Sequence, residues 1–88
     1  MLEKTVTITS DPGVHLRAAA IFVKEASRFK SDVWVMKDDI EVNGKSILGL
    51  VSLVAERGSS LRIRVKGEDE AQALETLIDL VRNKFYEE

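Results

Sequence analysis

Residues 60–66 limit the fold of this chain more than any other stretch of its sequence. Apolar residues alternate there with basic ones, in the order Leu61, Arg62, Ile63, Arg64, Val65 and Lys66. Such alternation is typical of a β-strand with one buried face and one solvated face. A sheet built from strands of this kind needs cover on one face only, and helices with a single apolar stripe can provide it. The segment therefore favours a two-layer α+β fold.

Three other segments have the pattern of strands. Residues 2–8 alternate like a half-buried strand. Residues 32–37 are rich in β-branched and aromatic side chains, and a turn at 37–39 separates them from a short strand at 40–43. Together with residues 60–66, these segments predict a four-stranded, mainly antiparallel sheet.

Two of the three predicted helices lie in the first two-thirds of the chain. In residues 16–27, apolar residues recur at i, i+3, i+4 and i+7, which places them on one helix face. A shorter apolar segment begins at Ser46, a residue that suits a helix N-cap. Gly58 is expected to close that segment.

The last helix is predicted over residues 69–84. Its apolar stripe consists of Leu74, Leu77, Ile78, Val81 and Phe85. Asp69 and Glu70 lie at its N-terminal end, where the helix dipole favours negative charge. The complete order is βαββαβα, which predicts a sheet covered on one side by three helices.

Composition narrows the classes of function. The chain contains no cysteine and a single histidine, so we expect neither a metal site nor a cofactor. A net charge of −2 argues against a general nucleic-acid binder, which needs a basic surface. No run of apolar residues approaches the length of roughly 20 residues that a membrane-spanning helix requires. We expect a cytoplasmic monomer made of one domain, residues 1–88.

The single histidine lies where the first helix is predicted to begin. His15 follows the helix breakers Pro12 and Gly13 and precedes Arg17 by two residues. A helix N-terminus presents free backbone N–H groups and a partial positive charge, so it attracts anions. An imidazole there can accept a phosphoryl group, which the helix end and the Arg17 guanidinium can stabilise. A histidine that only caps the helix is the alternative, and it stays open on this reasoning alone.

Two segments carry a resemblance to a known family. Residues 13–19 (GVHLRAA) resemble the active-site motif of HPr, the histidine-containing phosphocarrier of the bacterial sugar phosphotransferase system. Residues 43–50 (NGKSILGL) resemble the second motif of that family, around its regulatory serine. The spacing of the motifs, the chain length and the element order agree as well. The resemblance implies an open-faced β-sandwich and a phosphocarrier that is not itself an enzyme.

The same resemblance implies partners and site residues. His15 matches the phosphorylated histidine, through its Nδ1 atom, and Arg17 matches the active-site arginine. The implied donor is enzyme I, which is charged by phosphoenolpyruvate, and the implied acceptors are the IIA domains of sugar permeases. Ser46 matches the serine that an ATP-dependent HPr kinase/phosphorylase modifies in many bacteria. A transcription regulator is a further partner that such regulation implies.

Two residues depart from the family's usual pattern. Leu16 stands where a small residue is usual, and Ala18 stands where proline is common. Alanine is a good helix former, so the helix is expected regardless. Leu16 adds bulk beside His15 and leaves a second role open. That alternative is a regulatory binding module, for nitrogen or catabolite control, that is not committed to sugar uptake.

A surface for partner proteins is predicted around Ser46. Phosphate on Ser46, the expected cap of the second helix, would add up to about two negative charges beside apolar residues. The predicted docking patch consists of Leu16, Ala20, Lys24, Ile47, Leu48 and Val51. Exposed apolar patches often mark partner sites, whereas core packing is the alternative for the residues that follow Ser46.

Overall fold

The computed structural model describes residues 1–87, which contain four β-strands and three α-helices. The strands are β1 (Leu2–Thr7), β2 (Asp32–Lys37), β3 (Ile40–Asn43) and β4 (Ser60–Lys66). The helices are α1 (Leu16–Ala26), α2 (Ile47–Ser52) and α3 (Glu70–Arg82). The predicted order βαββαβα is confirmed, and the four predicted strands end within one residue of their observed bounds.

The strands form one antiparallel sheet in the order β1-β4-β2-β3. On one face, Ile63 of β4 pairs with Val35 of β2, and both are fully buried beneath the helices. The opposite face is charged: Arg64 lies 2.9 Å from a carboxylate oxygen of Glu3 and 3.7 Å from one of Glu41. The alternation in β4 therefore produces the predicted open sheet, with one face packed and one face solvated.

The two later helices end earlier than predicted, α2 by several residues and α3 by two. α2 stops at Ser52, six residues before Gly58, because the chain turns so that Leu53 and Ala55 are buried. α3 stops at Arg82 and is followed by a 3₁₀ turn at Lys84–Tyr86 with left-handed backbone angles. Phe85 is buried as expected, but it reaches the core from this turn and not from the helical stripe.

Asp69 joins the start of α3 to the segment that follows α1. Its carboxylate makes no capping bond to its own helix. It accepts backbone N–H groups from Lys30 at 2.9 Å and Ser31 at 3.0 Å, together with the Ser31 hydroxyl. The hydrogen bond from that hydroxyl, and then the one from the Lys30 amide, lower the pKa of Asp69 below its ordinary value.

Asp69→Asn is expected to lower the melting temperature at pH 7 by several degrees, because an amide NH₂ would face N–H donors. The native carboxylate has a lowered pKa, so it stabilises the fold fully above about pH 5 and loses that effect as the pH falls. Circular dichroism melts between pH 3 and pH 7 should show the gap between wild type and variant narrowing on acidification. Asp38→Asn, in the exposed hairpin turn, is the control. A gap that widens towards low pH would contradict this role for Asp69.

Candidate functional site

His15 is the N-cap residue of α1. Its backbone is extended, and its Nδ1 atom accepts a hydrogen bond from the backbone N–H of Arg17 at 3.2 Å. The imidazole therefore takes the place that serine or aspartate occupies at most helix starts. The capping alternative is correct as a description of this bond, and the side chain is still 35% exposed. A capping role and a chemical role can coexist because about a third of the side chain remains open to solvent.

The hydrogen bond at Nδ1 determines how the ring can react. An imidazole nitrogen that accepts an N–H bond carries a lone pair and no proton, so the proton of the neutral ring is on Nε2. Nε2 lies 3.4 Å from Oε2 of Glu87. A nucleophilic nitrogen on one side of the ring and a carboxylate beside the other orient the imidazole for attack through Nδ1.

Glu87 reaches the site through the turn that follows α3. Phe85 anchors the turn in the core, and Asp79 accepts hydrogen bonds from the Asn83 amide and the Tyr86 hydroxyl. The bond to Asp79 raises the pKa of Tyr86, because it stabilises the protonated hydroxyl. Sequence reasoning missed Glu87. No sequence pattern signalled it, because its position depends on a turn that replaces the predicted end of the helix.

Arg17 lies on the open side of the site. Its side chain is 77% exposed, and its Nε atom lies 3.9 Å from Oε1 of Glu87. The structure thus brings His15, Arg17 and Glu87 together at the mouth of an open cavity of about 400 Å³. In residues 1–87, nowhere do three or more histidine, cysteine or acidic side chains come close enough to hold a metal ion.

Gly13 allows the loop before His15 to lie directly against the segment that follows α2. Its φ is +107°, and a Cβ atom there would lie 2.5 Å from the carbonyl oxygen of Ala55 and 2.9 Å from Cα of Glu56. The neighbouring Val14 N–H donates to that same carbonyl at 2.8 Å. The position therefore requires glycine for both its backbone angle and its lack of a side chain.

Gly13→Ala is expected to destabilise the fold by about 2 kcal/mol or more, because a left-handed backbone and a backbone clash add together. Gly58→Ala is the matched control: its φ is +92°, yet nothing lies within 4 Å of the added Cβ. It should cost only about 1 kcal/mol. Urea unfolding curves measure both variants. An equal or larger loss for Gly58→Ala would show that the close approach at Gly13 has no energetic role.

Ser46 caps α2, as predicted. Its backbone is extended, and its Oγ atom accepts the backbone N–H of Gly49 at 3.0 Å. The side chain is half-buried. Substitution by another good capping residue should therefore leave the helix in place.

The residues of the docking patch divide into two groups. Leu16 and Leu48 are strongly exposed, at 65% and 79%, and Ala20 and Lys24 are exposed on α1. Ile47 and Val51 are half-buried and pack against the core, which agrees with the alternative for the residues after Ser46. Helices α1 and α2 contact each other, so the exposed leucines belong to neighbouring helices.

Across residues 1–87, every helix is too short or too polar to traverse a lipid bilayer.

The model of the family described as "PTS HPr component phosphorylation site" matches residues 2–83. The phosphocarrier protein HPr of Neisseria meningitidis serogroup A is 45% identical over 87 residues, covering 99% of this chain and 98% of that protein. The HPr-like protein Crh of Bacillus subtilis is 43% identical over 84 residues, covering 96% of this chain and 99% of Crh.

A solved structure agrees over the same length. The crystal structure of HPr from Thermoanaerobacter tengcongensis superposes with a TM-score of 0.94 at 44% identity, covering 100% of this chain and 99% of the other. The family model, the full-length relatives and the fold agree with one another. The chain therefore belongs to the HPr family, the phosphocarrier proteins of the phosphotransferase system.

Proposed function

We propose that the chain accepts a phosphoryl group from phosphorylated enzyme I on Nδ1 of His15 and passes it to IIA domains of sugar permeases. The observation that carries this proposal is that the Nδ1 atom of His15 is unprotonated and accepts a hydrogen bond. Its lone pair meets a backbone N–H at the start of a helix, on a ring that is 35% exposed. A nucleophile with these neighbours needs only a small displacement of one hydrogen bond to make room for phosphate.

The transfer step follows from these contacts. The Nδ1 lone pair attacks phosphorus, and the bond between phosphorus and the donor group on enzyme I breaks, its electron pair leaving with the donor. The backbone N–H of Arg17, released from Nδ1, then donates to a phosphoryl oxygen. The exposed guanidinium of Arg17 can donate to another oxygen of the same group. The Glu87 carboxylate beside Nε2 keeps the ring proton on that nitrogen. The incoming phosphoryl group replaces Glu87 as the anion beside the Arg17 side chain.

The direct test is incubation with enzyme I and phosphoenolpyruvate labelled in its phosphoryl group. We expect one label per chain, labile in acid and stable in base, which is the signature of phosphohistidine. Transfer of that label to a purified IIA domain tests the second half of the proposal. A chain that takes no label under conditions that phosphorylate a known HPr would refute it.

We further propose that phosphorylation of Ser46 by an HPr kinase regulates docking on the adjacent patch. Ser46 starts α2, one position before Ile47 and two before the exposed Leu48. An apolar contact of modest area suits a carrier that must bind and leave quickly. Negative charge at this point would have to lose its water when a partner covers the patch.

One observation favours the alternative role. The similarity to Crh, a protein described in its crystal structure as a catabolite repression protein, is nearly as high as the similarity to HPr. In that role the chain would bind a kinase or transcription regulator through the Ser46 surface and would not pass a phosphoryl group to another protein. Failure to pass label to any IIA domain, with Ser46 readily phosphorylated by the kinase, would favour this role.

We propose that the chain is a monomeric single domain when it acts. β1 pairs with β4 of its own chain along its whole length, and the α-amino group of Met1 lies 3.0 Å from Glu70. Crh of Bacillus subtilis forms a swapped dimer in its crystal structure. Sedimentation velocity distinguishes the two states directly.

A further inference from the structure

The turn that brings Glu87 to His15 has an unusual backbone. Lys84, Phe85 and Tyr86 are three consecutive left-handed residues, with φ of 56°, 59° and 54°. A Cβ atom makes this conformation unfavourable for L-residues, so it persists only where surrounding contacts enforce it. The contacts that hold the turn therefore decide where Glu87 lies.

Asp79, a residue of α3, holds the turn through both oxygens of its carboxylate. Oδ1 accepts the side-chain amide of Asn83 at 3.0 Å, and Oδ2 accepts the hydroxyl of Tyr86. Hydrogen bonds to an ionised group are roughly twice as strong as bonds between neutral groups. The Tyr86 residue is 63% exposed, so its hydroxyl, and not burial of its ring, ties this side chain to the helix.

The bond between Tyr86 and Asp79 bears on Glu87 more than on the core. Phe85 is 2% exposed and anchors the turn without it. Tyr86 is the residue directly before Glu87, whose backbone N–H donates across it to the Lys84 carbonyl at 3.2 Å. Rotation of Tyr86 out of the left-handed region would therefore carry Glu87 away from the imidazole while Phe85 stays buried.

Glu87 lies where positive charge develops when His15 takes up a phosphoryl group. Its Oε2 atom is 3.4 Å from Nε2, and its side chain is only 17% exposed. As the Nδ1 lone pair bonds to phosphorus and the donor leaves with its own electron pair, Nε2 keeps its proton and the ring becomes cationic. A carboxylate beside Nε2 stabilises that charge, and it is most effective when it is already in place before the reaction.

We propose that Asp79 and Tyr86 are positioning residues for phosphoryl uptake, because their hydrogen bond keeps the Glu87 carboxylate beside Nε2 of His15. The inference rests on the proposed function and adds two residues that do not touch the reacting atoms. The competing explanation is that the bond only closes the end of α3 and has no effect on His15.

Tyr86→Phe is the sharpest test, because it removes one hydroxyl and keeps the ring. Tyr86→Phe and Asp79→Asn are each expected to lower kcat for phosphorylation of the chain by enzyme I about fivefold, with KM unchanged because the docking patch is intact. Asp69→Asn is the matched control, since it is the same substitution at the start of the same helix. It should lower the melting temperature and leave kcat unchanged.

A second set of variants shows whether the effect passes through Glu87. Glu87→Gln should lower kcat at least as much as Tyr86→Phe does, and adding Tyr86→Phe to it should lower kcat no further. If Tyr86→Phe lowers kcat equally in both backgrounds, or leaves kcat unchanged in the native chain, the positioning role is overturned.

A further measurement does not depend on phosphoryl transfer. His15 is the only histidine of the chain, so its ring ¹⁵N signals can be assigned directly in the unphosphorylated protein. At one fixed pH, Tyr86→Phe and Asp79→Asn should move the Nε2 signal towards its position in Glu87→Gln, and Asp69→Asn should not. A native Nε2 signal in both variants would overturn the inference, whether or not the chain is phosphorylated. A wild-type chain that takes no label from enzyme I would instead refute the proposed function.

Discussion

Replacing His15 with asparagine is expected to abolish phosphorylation by enzyme I while leaving the fold unchanged. Asparagine is among the best N-cap residues, and its carbonyl oxygen can accept the Arg17 N–H that Nδ1 accepts in the native chain. It offers no nitrogen nucleophile, so the loss of label should be complete. The measurement pairs label incorporation from phosphoenolpyruvate with the melting temperature of the same sample.

His15→Ala is the matched comparison, because it removes both the nucleophile and the cap. It should take no label and also lose about 1 kcal/mol of stability, or roughly 4–8 °C in melting temperature. The two variants together separate the chemical role of His15 from its capping role. Label that persists in His15→Asn would show that another residue accepts the phosphoryl group and would contradict the assignment of His15 as the phosphorylated residue.

The strands and helices of this chain could be predicted because each has a local cause. The alternation in β4 and the helical spacing in α1 both come from one buried face, and burial is what the sequence pattern records. The ends of α2 and α3 could not be predicted in this way. Val54 and Phe85 adopt left-handed angles that β-branched and aromatic residues rarely take. Phe85 is itself buried, and the exposed Val54 lies between the buried Leu53 and Ala55, so both turns accompany tertiary packing that a local pattern does not record.

The residues of the site also fall into two groups, those with a local cause in the sequence and those placed by tertiary packing. His15 and Ser46 could be identified because both are capping positions, and a cap is defined by its immediate neighbours in sequence. Glu87 and Arg57 reach the cavity from segments far along the chain. Their approach depends on Gly13 and on the turn after α3. Charged residues in such places look like ordinary surface residues in the sequence.

The docking patch shows why periodicity alone cannot assign an interface. Leu48 and Ile47 are adjacent and equally apolar, yet one is 79% exposed and the other packs against the core. A six-residue helix is too short for its pattern to tell which side faces the solvent. The exposed leucines, Leu16 and Leu48, are the large apolar residues of the patch that remain available to a partner, beside the exposed Ala20 and Lys24.

Ser46→Asp is expected to slow phosphoryl transfer from enzyme I at least tenfold through weaker docking, with the structure unchanged. Aspartate can accept the Gly49 N–H as serine does, and the start of a helix favours negative charge, so α2 should keep its fold. When a partner covers Leu48 and Leu16, however, the new carboxylate loses its water without gaining a cation. A penalty of about 1.4 kcal/mol corresponds to the expected factor of ten.

Ser46→Asn separates charge from capping, because asparagine caps as well as aspartate but adds no charge. It should behave like wild type in transfer, and all three proteins should melt at similar temperatures. Steady-state kinetics with enzyme I should show a raised KM for Ser46→Asp and an unchanged kcat, since docking is affected and the chemistry at His15 is not. If Ser46→Asn slows transfer as much as Ser46→Asp does, the effect comes from the shape of the cap, and regulation by charge at this position is wrong.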